Sequence, residues 1–180
     1  MQKATFKPWV GSGYHNTGLY GLKILFLGES HYGIKGNESP ETTINVVRRL
    51  GQKNLHRFFT TTAKLALLKG ANENISKKER KELWNNVAFY NYIQEFVAEK
   101  ARRRPSLDMW ESSKNAFLDV LYELQPDLLV ILGKELGRNL PPIPNDINVC
   151  RVNHPSSGFK YNQWIPIFKE SLIKTGATNI

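Results

Sequence analysis

The sequence predicts an α/β protein, a three-layer α/β/α sandwich built on a four-stranded, mainly parallel sheet. Short apolar runs alternate with longer segments of helical periodicity, which is the pattern of strands joined by crossover helices. Runs that are apolar on both faces, such as 128–132, are typical of parallel strands covered on both sides. A chain of 180 residues has the length of one domain, so we expect a single domain over 1–180 with 1–20 as an N-terminal arm.

Four segments have the length and composition of strands. Each is a short run rich in apolar residues, and each is followed by glycine or polar residues. Right-handed crossovers would make these strands parallel and bring their carboxyl ends to one edge of the sheet. The predicted strands cover 23–27, 87–91, 128–132 and 147–152.

The segments between the strands carry helix signals. Pro40 suits the start of a helix, and Ser76 with Glu79 has the spacing of a capping box. Apolar residues at helical spacing give one apolar face to 54–68 and another to 106–124. The predicted helices cover 41–50, 54–68, 76–84, 106–124, 134–140 and 162–174.

The composition limits the classes of partner. The net charge of +9 favours an anionic partner, DNA or a nucleotide. No run approaches the roughly 20 apolar residues of a membrane span, and the N-terminal segment lacks the apolar core of a signal peptide. We therefore expect a cytoplasmic monomer with no membrane partner. The single cysteine, Cys150, lies in an apolar run and is expected to be a buried structural thiol.

No cofactor or metal is expected from the sequence. The four histidines are not spaced with cysteines or carboxylates as a zinc site requires. A single cysteine cannot hold an iron–sulfur cluster, and no glycine-rich phosphate loop is present.

Two polar motifs follow predicted strands and indicate a cleft. The first is Gly28-Glu29-Ser30-His31-Tyr32, and the second runs from Asn153 through His154-Pro155-Ser156-Ser157 to Gly158. Open α/β sheets place their chemistry beyond the carboxyl ends of strands. Asn91 and Gly133 end the other two strands, so all four ends are expected to meet at one edge.

On these motifs the chain resembles the uracil-DNA glycosylase superfamily. ILFLGESHY resembles its first motif, VNHPSSGF its His-Pro-Ser motif, NVAFYNY its middle strand and PDLLVILGKEL the strand before the last. The resemblance covers roughly 20–175 in element order. It is nearest to a group of bacterial proteins of unassigned role that carry GESHY together with HPSS. It implies a uracil-DNA glycosylase-like fold and a hydrolase of DNA repair that removes uracil or another deaminated base.

The resemblance also implies roles for single residues. His154 matches the histidine that stabilises the departing base, and Asn91 matches the asparagine that reads uracil. Tyr32 matches a tyrosine that excludes thymine, and Glu29 matches the acidic position of branches whose motif begins Gly-Glu. Phe159 lies next to Gly158, from which some members push a side chain into the duplex. Three features differ from the family. Ser30 stands where the most active branch has aspartate, and His31 stands where the motif has proline. The base-stacking phenylalanine of the family has no clear match, because the expected segment is the polar Glu41-Thr42-Thr43.

The chemistry of N-glycosidic cleavage explains why these residue types matter. A carboxylate near the sugar and a hydrogen-bond donor at the base stabilise the two charges that develop, and Glu29 with His154 supply that pair. Ser30 and His31 complete the candidate catalytic set. Gly28, Asn91, Tyr32 and Phe89 are candidates for binding an extruded base. The candidates for DNA contact are Ser156, Ser157, Phe159, Arg102, Arg103 and Arg104.

Two other hypotheses explain the same motifs and stay open. The chain could be a catalytically weak or inactive module of this fold that binds nucleic acid or a nucleotide. It could also be a serine esterase of the SGNH type, in which Ser30 follows a strand and His154 is the base. That family has aspartate three residues before its histidine, where this chain has Arg151.

Overall fold

A five-stranded mixed sheet forms the centre of the protein. The computed structural model describes residues 5–100 and 103–180. The strand order is β1-β3-β2-β4-β5, with β2 to β5 parallel and β1 antiparallel to β3. The strands are β1 (Trp9–Val10), β2 (Ile24–Gly28), β3 (Ala88–Asn91), β4 (Leu128–Leu132) and β5 (Asn148–Val152).

The four predicted strands all form, but the expected number of strands is wrong because β1 adds a fifth. Trp9 and Val10 pair with Phe89 and Ala88 at the edge of the sheet. A strand of two residues is too short to show an alternating pattern, so nothing in the sequence separates it from a loop. The segment predicted as an N-terminal arm thus supplies an edge of the sheet. It also contributes to the interior, because Phe6 and Tyr14 are fully buried.

Helices cover both faces of the sheet. Ile24 and Phe26 of β2 point into one apolar cluster, while Leu25 and Leu27 point into another. The first cluster contains residues of α2 (Arg57–Ala66), α3 (Lys77–Asn86) and α7 (Tyr161–Thr175). The second contains residues of α4 (Leu107–Ser112), α5 (Lys114–Leu124) and α6 (Lys134–Asn139). This distribution is the one that a three-layer arrangement requires. The helices are α1 (Thr42–Val46), α2 (Arg57–Ala66), α3 (Lys77–Asn86), α4 (Leu107–Ser112), α5 (Lys114–Leu124), α6 (Lys134–Asn139) and α7 (Tyr161–Thr175), with a π-helical segment Val47–Lys53 after α1.

Two predicted helices differ in detail from the structure. The segment predicted as one helix over 106–124 is two helices, α4 and α5, separated at Ser113. The Ser113 hydroxyl donates to the carbonyl of Met109 and accepts from the backbone N–H of Gln94, so this buried serine bonds to backbone groups at the break. The helix predicted over 41–50 is α-helical only to Val46 and continues as the π-helical segment.

Two further sequence expectations, the capping box and the buried cysteine, are confirmed. Ser76 and Glu79 form both hydrogen bonds of the capping box at the start of α3. Cys150 is a buried free thiol, and burial raises its pKa. Across 5–100 and 103–180, no helix has both the length and the apolar character that crossing a bilayer needs.

Candidate functional site

The carboxyl ends of β2, β3, β4 and β5 meet at one edge of the sheet, as the sequence predicts. Gly28 at the end of β2 is in register with Asn91 at the end of β3. Leu132 at the end of β4 is in register with Val152, which precedes Asn153 and His154. Parallel pairing therefore carries Glu29, Asn91 and His154 to the same side of the molecule.

The ring of His154 is held in a defined orientation by the turn that follows it. Its Nδ1 accepts a hydrogen bond of 3.2 Å from the backbone N–H of Ser156, which assigns the proton of the neutral ring to Nε2. Burial lowers the pKa of His154, and the positive charge of Arg104 lowers it further. The imidazole is therefore favoured in its neutral form, with Nε2–H as a hydrogen-bond donor.

The amide of Asn91 lies directly over Gly28. A Cβ atom at position 28 would collide with Oδ1 of Asn91, so only glycine allows the amide this position. Asn91 is 6% exposed, and only its backbone carbonyl, which accepts from Gln94, takes part in the side-chain hydrogen bonds within 5–100 and 103–180. Its amide atoms are not among the fully buried polar atoms without a partner in these ranges. Its donor and acceptor are therefore available to a ligand at this edge.

Two phenylalanines connect Asn91 with His154. The ring of Phe89 reaches the space beside Gly28, and its centroid is 6.0 Å from that of Phe58. The ring of Phe58 is in turn 5.3 Å from the ring of His154. Phe58 belongs to the first turn of α2 and is only partly buried, whereas Phe89 is buried. Together they form an aromatic wall between the amide and the imidazole.

Phe58 is a site residue that the sequence alone does not identify. The helical spacing of the apolar residues places Phe58 on the apolar face of the predicted helix 54–68, which predicts that it is a core residue. The signal that could have identified it is the pair Phe58-Phe59, because adjacent residues on a helix cannot both point in one direction. Phe59 is the buried member of the pair and Phe58 is the one that contacts His154.

Glu29 is a mostly buried carboxylate with one cationic neighbour. Its side chain is 14% exposed, and Oε2 lies 3.5 Å from Nη1 of Arg104. Burial raises the pKa of Glu29, Arg104 opposes that rise, and Glu135 of α6 adds to it. The positive charge of Arg104 thus lowers the pKa of both Glu29 and His154.

The basic segment 102–104 is only partly described. Arg102 lies outside the described residues. The carbonyl of Arg103 accepts a hydrogen bond of 3.2 Å from the hydroxyl of Tyr32, which is itself partly exposed. The side chain of Arg104 is 74% exposed, although its guanidinium pairs with Glu29. Described residues of the segment therefore contact the first motif, at the edge where the strands end.

His31 does not share this arrangement with the other motif residues. It is 6% exposed, its Nε2 lies 2.8 Å from Oγ1 of Thr43, and its ring packs against Phe6 at 5.1 Å. Burial lowers its pKa to about 4. Ser30 is half-buried and forms no hydrogen bond within the described part of the chain.

The turn after His154 uses its backbone donors internally. The N–H of Ser156 bonds to His154 Nδ1 and the N–H of Ser157 bonds to the His154 carbonyl. Within the described residues, Ser156 and Ser157 therefore have only their hydroxyl groups left for a phosphate. Phe159 packs against Tyr161 and Trp164, with ring centroids 5.2 and 6.4 Å away, so its ring is held on the protein surface.

Two grooves of the protein are lined by residues other than Glu29, Asn91 and His154. In 5–100 and 103–180, no group of three or more histidine, cysteine or carboxylate side chains is placed to hold a metal ion. A groove of about 540 Å³ runs beside β5 and the proline-rich loop 140–145, and another of about 410 Å³ lies beside β1.

The fold defines the chain as an α/β protein with a mixed five-stranded sheet and a polar site at the carboxyl edge of its parallel strands. No model of a known protein family matches the chain. No curated protein matches it in sequence.

Proposed function

We propose that the chain is a hydrolase of the uracil-DNA glycosylase type, which cleaves the N-glycosidic bond of uracil or another deaminated base in DNA. The observation that carries this proposal is the continuous line from the amide of Asn91, over Gly28 and along Phe89 and Phe58, to His154. It offers a donor and acceptor at one end, an aromatic wall in the middle and a fixed donor at the other end. An extruded pyrimidine needs all three.

Each group in this line has a task in the proposed reaction. The amide of Asn91 can pair with the imide edge of uracil, because it has both a donor and an acceptor. The partly exposed ring of Phe58 would stack on the base. The Nε2–H of His154 would donate to a base oxygen as negative charge develops there, and the bond from Ser156 keeps that donor in place.

Glu29 is the candidate for the sugar side of the reaction. Its carboxylate would stabilise positive charge on the sugar or activate the attacking water. A raised pKa makes the carboxylate a stronger base, which suits proton transfer near neutral pH. His31 is a weak candidate for the water-activating base, because its ring nitrogen is engaged by Thr43 and buried.

A second function is supported by a specific observation. Ser30 stands where the most active glycosylases of the resembled family have aspartate, and buried His31 does not replace it. The same edge could therefore bind a nucleic acid or nucleotide without cleaving it. The esterase reading lacks support from the geometry, since Ser30 is not hydrogen-bonded to His154 or to a carboxylate in the described residues.

The test is cleavage of oligonucleotides that contain uracil, hypoxanthine or xanthine, in single and double strands, with alkali treatment to reveal abasic sites. We expect cleavage by the wild type and a loss of roughly 100- to 1,000-fold in His154→Ala, as for the removal of one well-placed donor. His15→Ala is the matched control, because His15 is an exposed histidine on the N-terminal segment.

The other outcomes are equally informative. Absence of cleavage, together with DNA binding that weakens steeply with salt, would support the binding module. Equal cleavage by wild type and His154→Ala would remove His154 from the mechanism. A folded protein that neither cleaves nor binds DNA would overturn both readings.

A further inference from the structure

We propose that the protein has a second site, which binds a phosphate-type oxyanion where helix α2 begins beside the buried guanidinium of Arg80. The candidate glycosylase chemistry does not use the side chains of Arg80 and His56, although Phe58 in the first turn of α2 also belongs to the aromatic wall. The proposal therefore does not depend on the proposed function.

Arg80 is a buried cation without an anionic partner. It is 4% exposed, and no carboxylate in residues 5–100 or 103–180 lies within ion-pair distance of it. Its Nη1 donates to the carbonyl of Asn54 at 3.0 Å, while the Nε–H is buried and has no acceptor. Arginine is rarely this buried unless its charge is paired. The missing partner is therefore an anion from outside the described chain.

The start of α2 is the second part of the site. Asn54, which Arg80 contacts, precedes the N-cap residue His56 by two positions, so the guanidinium lies beside the segment that leads into the helix. No side chain caps the helix, and its first turn contains no acidic residue. The first backbone N–H groups of a helix have no partner within it, and the helix dipole adds positive potential there.

The charges at this helix start are the reverse of the usual arrangement. The first residue of α2 is Arg57, and Lys53 ends the π-helical segment just before it. Cations at a helix N-terminus oppose the dipole, so this sequence is unfavourable unless an anion is bound. Helix N-termini bind phosphate through backbone N–H groups, and the planar fork of arginine binds two phosphate oxygens at once. A phosphate group satisfies both halves of the site.

The first test measures the thermal stability of the full chain during titration with inorganic phosphate at constant ionic strength. For a site near saturation we expect the wild-type Tm to rise by about 5–10 °C. The Tm of Arg80→Met should not rise with phosphate, because the variant lacks the guanidinium that would bind the phosphate oxygens. Lys81→Ala removes the same charge from an exposed neighbour on α3 and should respond like the wild type.

A second variant covers the case in which Arg80→Met does not fold. His56→Asp places a carboxylate at the N-cap, where it can accept from the free N–H groups. It should raise the Tm without phosphate and remove the response to phosphate. A wild type that does not respond to phosphate, or a response of equal size in Arg80→Met or His56→Asp, would overturn the proposal.

The source of the phosphate is distinguished by a second ligand. An oligomer of abasic deoxyribose phosphates offers phosphodiesters without bases. If the site holds a nucleic-acid backbone, this oligomer will bind more tightly than inorganic phosphate. In that case Arg80→Met will reduce the slope of the logarithm of the affinity against the logarithm of the salt concentration by about one. If the site holds a free phosphate, inorganic phosphate alone will bind. Binding of neither ligand would overturn the proposal.

Discussion

His31 gives the protein a stability that depends on pH. The ring lies between Thr43 and Phe6, is 6% exposed, and has a pKa lowered from 6.5 to about 4 by burial. In the unfolded chain the same imidazole is solvated and keeps its ordinary pKa. Between these two values the unfolded state binds more protons than the folded state, so the free energy of unfolding increases with pH.

The size of the effect follows from the two pKa values. One pKa unit corresponds to about 1.4 kcal/mol, so a pKa lowered from 6.5 to about 4 contributes about 3 kcal/mol to stability. This contribution is fully present above about pH 6.5 and is lost as the pH falls towards 4. It is a large part of the roughly 5–15 kcal/mol that stabilises a typical domain.

The assay is urea denaturation of the wild type and of His31→Gln at pH 7 and pH 4. Glutamine can still hydrogen-bond to Thr43 but does not titrate. From pH 7 to pH 4 the wild type should lose about 3 kcal/mol more than the variant. The contributions of other titrating groups, including His154, are common to both proteins and cancel in the comparison. Equal losses in the two proteins, or a His31 ring that titrates near 6.5 by NMR, would refute the reasoning.

Two further predictions concern packing and capping. Gly28→Ala should destabilise the fold by about 1–3 kcal/mol, because the new Cβ collides with the amide of Asn91 and lies close to Phe89. Thermal denaturation measures the loss, and an unchanged Tm would contradict the close approach of the amide. Ser76→Ala should cost about 1 kcal/mol by removing the capping box with Glu79. Circular dichroism during urea unfolding measures this cost, and an unaltered midpoint would show that the cap is not needed.

The strands β2, β3 and β4 could be predicted because their residues are mostly apolar and are buried on both faces. Leu128–Leu132 is fully buried, as a parallel strand between two helical layers must be. Once such strands are recognised, the position of Asn91 at the carboxyl edge follows from the parallel pairing alone. The two-residue strand Trp9–Val10 could not be predicted, since it exists only through its pairing with β3.

The sequence does not predict in which direction the side chains that follow the strands point. Glu29 and His31 are two residues apart in one motif, yet Glu29 pairs with Arg104 and His31 packs against Phe6. That separation depends on how the N-terminal segment and Thr43 pack around the loop, which is a property of the tertiary structure. Similarly, no local pattern indicates that the hydroxyl of Ser113 would interrupt a continuous amphipathic segment.

The order of strands in the sheet has a consequence for the way the protein folds. β2 lies between β3 and β4, although β4 is made about a hundred residues after it. During synthesis β2 can pair with β3 first, and it lacks its second neighbouring strand until the ribosome has produced residues far along the chain. Such long-range pairing slows folding because the intervening loop must close first. His154 is made later than either neighbour of β2, so the site edge cannot be complete before the chain has been made up to His154.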